Sequence, residues 1–362
     1  MASHSKQVLV TGGAGYVGAV LVPKLLAAGH RVTVLDWYLY GRDVLDAVKH
    51  DRKLKQVQGD VRDHRLLSRL LPGCDAVIHL ACISNDPSAE LNPLLTRHVN
   101  FDAFAPLVQL AKIAGVRRFI YASSSSVYGV SDQPNVDETH PLRPLTDYSR
   151  FKAMCEPLLL EQGGADFVPV IIRPATVCGY SPRLRLDLTV NILTNHAVNH
   201  GRITVFGGTQ MRPNIHIDDI ADLYVQLLSE PAERVAGKVW NAGYENHTVM
   251  QIAEMVRRVV MEEMRGQSQP SSPPVTRMAG LDEVEIVTTP TDDNRSYHIS
   301  SAKIADELGF VPRHTIEDAV RDLVVSFRQG LIPDSLSDPR YFNVKLMRSM
   351  EAGLTQPMEI AA

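Results

Sequence analysis

The stretch Gln7–Leu21, QVLVTGGAGYVGAVL, decides the fold. A short run of β character, Gln7 to Val10, meets a cluster of glycines, and an apolar helical pattern follows through Leu26. Gly12, Gly15 and Gly18 stand at the spacing GxxGxxG. A tight turn and a close approach of backbone to a pyrophosphate both require a missing side chain, and the N-terminus of the helix behind favours negative charge. A glycine triplet alone is weak evidence, because a glycine turn also serves purely structural ends. In this chain it follows a strand, opens a helix, and precedes by roughly 20 residues an acid that ends the second strand, Asp36 in VTVLD. That carboxylate can accept both adenosine ribose hydroxyls and repels a 2′-phosphate, so the pattern predicts NAD rather than NADP. Asp60 in QGDVRD also ends a β run. It is placed to accept from the adenine amino group, with Val61 beside the ring, or to cap the helix that DVRD begins.

The rhythm continues outward. Arg31–Asp36, Leu54–Asp60, Asp75–Ala81, Arg117–Ser123 and Phe167–Pro174 read as further strands, with a long helical stretch over roughly Leu91–Ala114. Alternating β and α with almost continuously apolar strands predicts a Rossmann-type doubly wound parallel sheet covered on both faces. After Pro174 the rhythm loosens. Residues 1–180 read as the cofactor-binding domain, with strand and helix excursions to later chain; 181–330 as a smaller α/β substrate-binding region; and 331–362 as a tail. Ser181–Phe206 reads as helix then strand, with Arg183, Arg185 and Arg202 in it; helical patterns recur at Asp219–Leu228 and Thr248–Met264. Gly266–Pro274 is a Pro/Ser-rich linker, and Ser335–Ala362, without clear periodicity, is a wrapped or mobile tail.

Composition excludes several classes. A chain of 362 residues with 44% hydrophobic and 22% charged content is an ordinary globular protein with room for a sizeable core. A net charge of −4 offers no general attraction to nucleic acid or an anionic membrane. Cys74, Cys82, Cys155 and Cys178 are scattered without a CxxC pair, so neither a disulfide framework nor a zinc site is indicated. Without a signal pattern or a membrane-length apolar run, the expected location is the cytoplasm.

Two further stretches carry chemistry. In TDYSRFK, Tyr148 and Lys152 lie four residues apart, on one face of a helix. A tyrosine with an ordinary pKa of about 10 becomes a base near neutrality only with help, and a lysine ammonium beside a positive nicotinamide favours its phenolate. The lysine also suits the nicotinamide ribose hydroxyls, and a serine hydroxyl completes a proton relay with the substrate. Serines are plentiful in RRFIYASSSSVYG (Arg117–Gly129), where an apolar strand ends in four of them.

With these motifs, with HLAC and VN at 99–100 between the glycine turn and the serines, and with RPATVCG, RPNIHIDDIAD and NRSYHISSAKIADELGF behind them, the chain resembles the extended short-chain dehydrogenase/reductases over roughly residues 6–330. Within them it is similar to the NAD-dependent nucleotide-sugar epimerase/dehydratase branch, UDP-glucose 4-epimerase-like. The resemblance implies that Ser124, three residues before the valine of VYG, is the catalytic hydroxyl beside Tyr148 and Lys152. Dehydratases of the branch carry an Asp-Glu pair directly after that residue; in this chain Ser125 and Ser126 stand there, which disfavours 4,6-dehydration. It further implies that Tyr16 and Val17 cross the pyrophosphate, that Leu80 and Ala81 pack on the cofactor, that Asn100 supports its site, and that Pro174 to Val177 line the nicotinamide carboxamide. On the substrate side it assigns Arg212, Arg295 and Asn191 to a diphosphate, and Ser84, Asn85 and Ser125 to the sugar. Cys178 is expected to be a packing residue, and His216, Asp218 and Asp219 a strand end and capped helix, with no metal.

The implied activity is C4 epimerisation of a nucleotide-diphosphate sugar through a transient keto intermediate, with Tyr148 as base. A nucleotide-sugar dehydrogenase or ketoreductase, a reductase of a small hydroxy compound, and a non-enzymatic NAD-binding regulator are the alternatives. The resemblance also implies a homodimer, packed through Leu91–Ala114 (Leu107, Leu110, Ile113) and Asp147–Glu161 (Phe151, Met154, Leu158, Leu159).

Overall fold

The computed structural model describes residues 5–131, 133–265, 283–291 and 296–351. Its strands are β1 (Gln7–Thr11), β2 (Arg31–Asp36), β3 (Leu54–Gln58), β4 (Ala76–His79), β5 (Arg118–Ala122), β6 (Val168–Pro174), β7 (Thr176–Cys178), β8 (Arg202–Phe206), β9 (Met211–His216), β10 (Lys238–Ala242), β11 (Glu245–Thr248) and β12 (Glu285–Thr289). Seven of them form one sheet in the order β10-β6-β5-β4-β1-β2-β3. Every pairing in that sheet is parallel. The apolar strands explain why both faces are covered. Val8 and Val10 join the core on one face, while Leu9 between them joins the core on the other. The helices Gly18–Ala27 and Ile217–Ser229 pack together on one side, while Phe104–Ile113 and Asp147–Leu160 pack together on the other.

The order reverses at β1, with β2 on one flank and β4 on the other. In open parallel sheets a ligand crevice forms at such a reversal, beyond the carboxyl ends of the strands. The loops after β1, β4 and β5 converge there.

β10 is the strand of this sheet that sequence reasoning missed; outside it, β7, β11 and β12 were missed as well. KVWNA has only two strongly apolar positions, and it returns from chain position 238 to the edge of a sheet otherwise complete by 174. A smaller core lies between the helices Thr189–His200, Val249–Arg265 and Ile316–Arg328, flanked by β8–β12 and β7–β9–β11.

The expected helix over 91–114 is three segments: Pro93–Arg97, a π turn His98–Asp102, and Phe104–Ile113. The wide turn has a visible purpose. It buries Asn100, whose Oδ1 accepts from Ile83 N at 2.8 Å and whose Nδ2 donates to Ile83 O at 3.0 Å. Beyond residue 330 the chain is ordered through a final helix, Asn343–Glu351. The Pro/Ser-rich stretch 266–274 lies outside the described residues, as does Arg295. No helix among the described residues is long and apolar enough to cross a membrane.

Candidate active site

The glycine turn is built by contact with the next loop. Gly12 has φ of 75°, and a Cβ there would lie 2.5 Å from Ala81 N. Gly12 N donates to Leu35 O at 2.9 Å, so the turn sits over β2. Gly18 permits the helix to close on the turn, since a Cβ there would meet Gly13 O at 2.5 Å. Asp36 braces the same loop: Oδ2 accepts from Ala14 N at 2.9 Å and Oδ1 from Tyr38 N at 2.8 Å. Burial raises its pKa above the ordinary carboxylate value, and these backbone donors oppose the rise.

A single cavity of about 620 Å³ runs from this loop across the strand ends. Its wall includes Gly12, Gly15, Tyr16, Val17, Gly18, Asp36, Val61, Leu80, Ala81, Lys152, Pro174 and Val177. These residues fit a dinucleotide: a side-chain-free turn, a carboxylate at the end of β2 and a lysine far along the same wall. Ser84, Asn85, Ser124, Ser125, Tyr148 and Arg212 belong to the cavity as well.

Tyr148 stands in the first turn of the helix Asp147–Leu160, whose start is held by a capping box between Thr146 and Ser149. Thr146 Oγ1 also donates to Asp86 Oδ1 at 2.6 Å, tying that helix to the loop after β4. Lys152, one turn on, donates from Nζ to Ala122 O at 2.6 Å and lies 5.9 Å from the centre of the Tyr148 ring. Burial, then Cys82 and Asp86, push the Tyr148 phenol well above its ordinary pKa; Arg185 and the Ser124 hydroxyl pull it back.

The four serines separate by role. Ser123 Oγ donates to buried Glu156 at 2.6 Å, a structural bond. Ser124 Oγ is 2.8 Å from Ser126 Oγ and interacts with Tyr148. Ser125 joins the wall. Glu156 also clasps Arg173, at 3.0 Å to Nε and 2.6 Å to Nη2. Arg173 reaches Tyr128 OH at 2.7 Å, and Tyr128 donates to Asn241 of β10 at 2.7 Å. This buried chain fixes the Tyr148 helix against β5, β6 and β10.

Three expected positions lie outside the cavity wall: Asn100, whose amide is bonded to the Ile83 backbone, Asp60 and Asn191. Asp60 is not in the cavity wall: its carboxylate is held by Arg62 (Nη2–Oδ2 2.6 Å), and the helix after it is capped by Asp63 instead. Asn191 is fully buried; its Nδ2 donates to Tyr16 OH (3.0 Å) and Arg185 O (2.9 Å), and its Oδ1 accepts from Gly179 N (3.1 Å). With its amide so committed, Asn191 orders the cavity wall from behind and is not aimed at a phosphate. His216 accepts from Asp218 N through Nδ1 at 3.1 Å. Its Nε2 faces Asp322 Oδ2 at 3.3 Å, so His216, Asp218 and Asp322 come together where β9 enters the helix Ile217–Ser229.

Sequence reasoning marked Arg183 and Arg185 only as basic residues. Both are buried in the cavity wall. Arg183 lies 3.5 Å over the Tyr40 ring. Arg185 forks onto Asp187 at 2.9 and 3.2 Å. Burial alone would raise the Asp187 pKa, but Arg185 brings it below the ordinary value. The signal was the pattern RLRLD, too compact for surface charge on a helix.

A parallel sheet with a glycine turn at its reversal, and a Ser–Tyr–Lys set in the same cavity, defines a Rossmann-type, nicotinamide-dinucleotide-dependent oxidoreductase fold. Residues 8–243 match the model of the NAD dependent epimerase/dehydratase family, and the chain belongs to that family. It is 30% identical over 272 residues to the UDP-glucose 4-epimerase of Lactobacillus helveticus, covering 69% of this chain and 81% of that one. It is also 26% identical over 334 residues to the dTDP-glucose 4,6-dehydratase of Streptomyces niveus, covering 90% and 93%. Among solved structures, the dTDP-glucose 4,6-dehydratase of Streptomyces venezuelae with NAD and TYD bound superposes with a TM-score of 0.76 at 24% identity, covering 92% of this chain and 99% of that one.

Proposed function

We propose that the protein is an NAD-dependent epimerase of a nucleotide-diphosphate sugar, acting at C4. The observation that carries the reading is the joint placement of Ser124, Tyr148 and Lys152 in one cavity with Asp36, while Ser125 and Ser126 follow Ser124. Asp36 and the glycine turn would hold the adenosine and pyrophosphate, and Lys152 the nicotinamide ribose. Bound there, the nicotinamide supplies a hydride acceptor and donor. Tyr148 takes the proton of the sugar hydroxyl through or beside Ser124, and returns it when the ketone is reduced from its other face. Arg212, half-buried on β9 and in the cavity wall, supports the reading as the proposed diphosphate ligand.

Relatives of the chain include both epimerases and dehydratases. Dehydration needs an acid to expel the C6 hydroxyl and a base at C5. The hydroxyls of Ser125 and Ser126 supply neither, and Asp86, a carboxylate in the same wall, accepts from Thr146. This supports epimerisation.

The homodimer is proposed with it. Ile113, Met154, Leu94 and Leu145 are exposed apolar residues on or beside the two helical stretches expected to pair, although Leu107 and Leu159 of those stripes face the chain's own core. Incubation with UDP-, dTDP-, GDP- and CDP-sugars, with and without added NAD, tests the reading. The expected product is an epimer without net NADH. Net NADH would support a dehydrogenase, and turnover confined to compounds lacking a diphosphate would overturn the substrate class.

A further inference from the structure

The C-terminal segment, patternless in sequence, enters the site. Leu186 N donates to Tyr341 O at 2.9 Å. Two residues on, Asn343 is 1% exposed and bonded in several directions. Its backbone N donates to Asp187 Oδ2 at 3.2 Å. Its Nδ2 donates to Ser84 O at 3.2 Å and Ser84 Oγ at 2.9 Å. Its Oδ1 accepts from Arg183 Nη2. Asp187 also accepts from Asn85 Nδ2 at 3.1 Å and carries Arg185. Behind Asn343, its helix packs on the helix Asp86–Leu91, and Met347 reaches the cavity wall.

We propose that the segment 339–349 is a wall of the sugar subsite, with Asn343 the positioning residue that sets Ser84, Asn85 and the Arg185–Asp187 pair around the carbon that reacts at Tyr148. The inference rests on the nucleotide-sugar reading. An amide suits the place because it gives two donors and one acceptor at once. Aspartate would lose the donors and set a second carboxylate beside Asp187. Leucine would leave the Ser84 carbonyl and the Arg183 amino group without their partner. The sugar end is indicated because Ser84, Asn85, Arg185 and Asp187 line the same cavity as Tyr148, and Thr146 ties the Ser84–Asp86 loop to the Tyr148 helix. A purely structural tether would anchor a tail; this one holds both loops that face the reacting centre.

The test uses the full-length chain with Asn343→Ala and Met347→Ala. It measures NAD affinity by fluorescence, affinity for the free nucleoside diphosphate by calorimetry, and KM and kcat for the sugar nucleotide the wild type turns over. Misplaced positioning groups lower turnover by up to about 100-fold. Asn343→Ala is expected to raise KM and lower kcat at least about 10-fold together, with NAD and nucleoside diphosphate affinities within about threefold. Met347→Ala is expected to raise KM for the nucleotide hexose at least about threefold more than for the corresponding pentose, narrowing the preference between them, with NAD affinity within about threefold. Unchanged kinetics in Asn343→Ala, or losses confined to NAD affinity or melting temperature, overturn the inference. If Asn343→Ala does not fold, an unaltered hexose preference in Met347→Ala overturns it. A wild type that turns over no nucleotide sugar overturns the underlying reading and this inference with it. An active wild type with unaltered variants overturns this inference alone.

Discussion

Replacing Lys152 with methionine removes a cation beside the proposed base while keeping the side chain's length. Lys152 Nζ lies 5.9 Å from the centre of the Tyr148 ring. Taking about 6 Å as the separation of the ammonium from the charge of the phenolate, which is shared between oxygen and ring, an effective dielectric of about 20 gives on the order of 3 kcal/mol, equivalent to about two pH units. The sign follows from the chemistry. A base must be ionised to act, burial already raises the Tyr148 pKa, and loss of the cation raises it further. The rising limb of kcat/KM against pH should therefore move up by about two pH units, and at a fixed pH below that limb the rate should fall about 100-fold. The Ala122 carbonyl also loses its donor, which costs about 1 kcal/mol of stability and leaves the limb alone. The assay is the pH profile of wild type and Lys152→Met, with the cofactor saturating. A variant slower at every pH with an unmoved limb would refute the electrostatic role and leave Lys152 as a ribose ligand only.

Tyr148→Phe should lower turnover by about 100- to 10,000-fold and preserve NAD affinity, both measured on one preparation; near-wild-type turnover would remove Tyr148 as the base. Asp36→Asn should weaken NAD binding and reduce discrimination against NADP, and tighter NADP than NAD binding by the unaltered chain would contradict the cofactor reading. Glu156→Ala leaves the Arg173 guanidinium buried without its carboxylate, a loss of about 3–5 kcal/mol that a thermal or denaturant midpoint should register. Sedimentation at micromolar concentration should give about twice the chain mass of 40.0 kDa, whereas an active monomer would give the exposed apolar residues of those helices another role.

What the sequence could disclose follows the range of the interactions involved. The glycine spacing, Asp36 and the Tyr148–Lys152 spacing fall within one turn or one βαβ unit, so their pattern is visible without coordinates, although the contact that demands Gly12 comes from Ala81. β10 escaped because its five residues pair with chain some 70 positions away, at a sheet edge where strong apolar alternation is not required. Asp60 suits adenine as a strand-end acid, and its contact with Arg62, two residues on, is one that the strand pattern does not disclose. Asn191 sits where the family resemblance put a phosphate donor, but its amide also donates to Tyr16, 175 positions away. Asn343 carried no periodic signal at all. Its significance lies in contacts to Ser84, 259 positions away, and to Arg183 and Asp187. Long-range polar contacts of this kind leave no local period to read.

The central claim is that hydride leaves C4 of the sugar and returns to the same carbon. Turnover of a nucleotide sugar carrying deuterium at C4, with the product analysed by NMR, tests it most directly. The predicted product has an inverted C4 with the deuterium still on C4, and no net NADH forms. Deuterium at C6 of a 4-keto-6-deoxy product would show dehydration instead, and would contradict the claim that Ser125 and Ser126 cannot support the loss of the C6 hydroxyl.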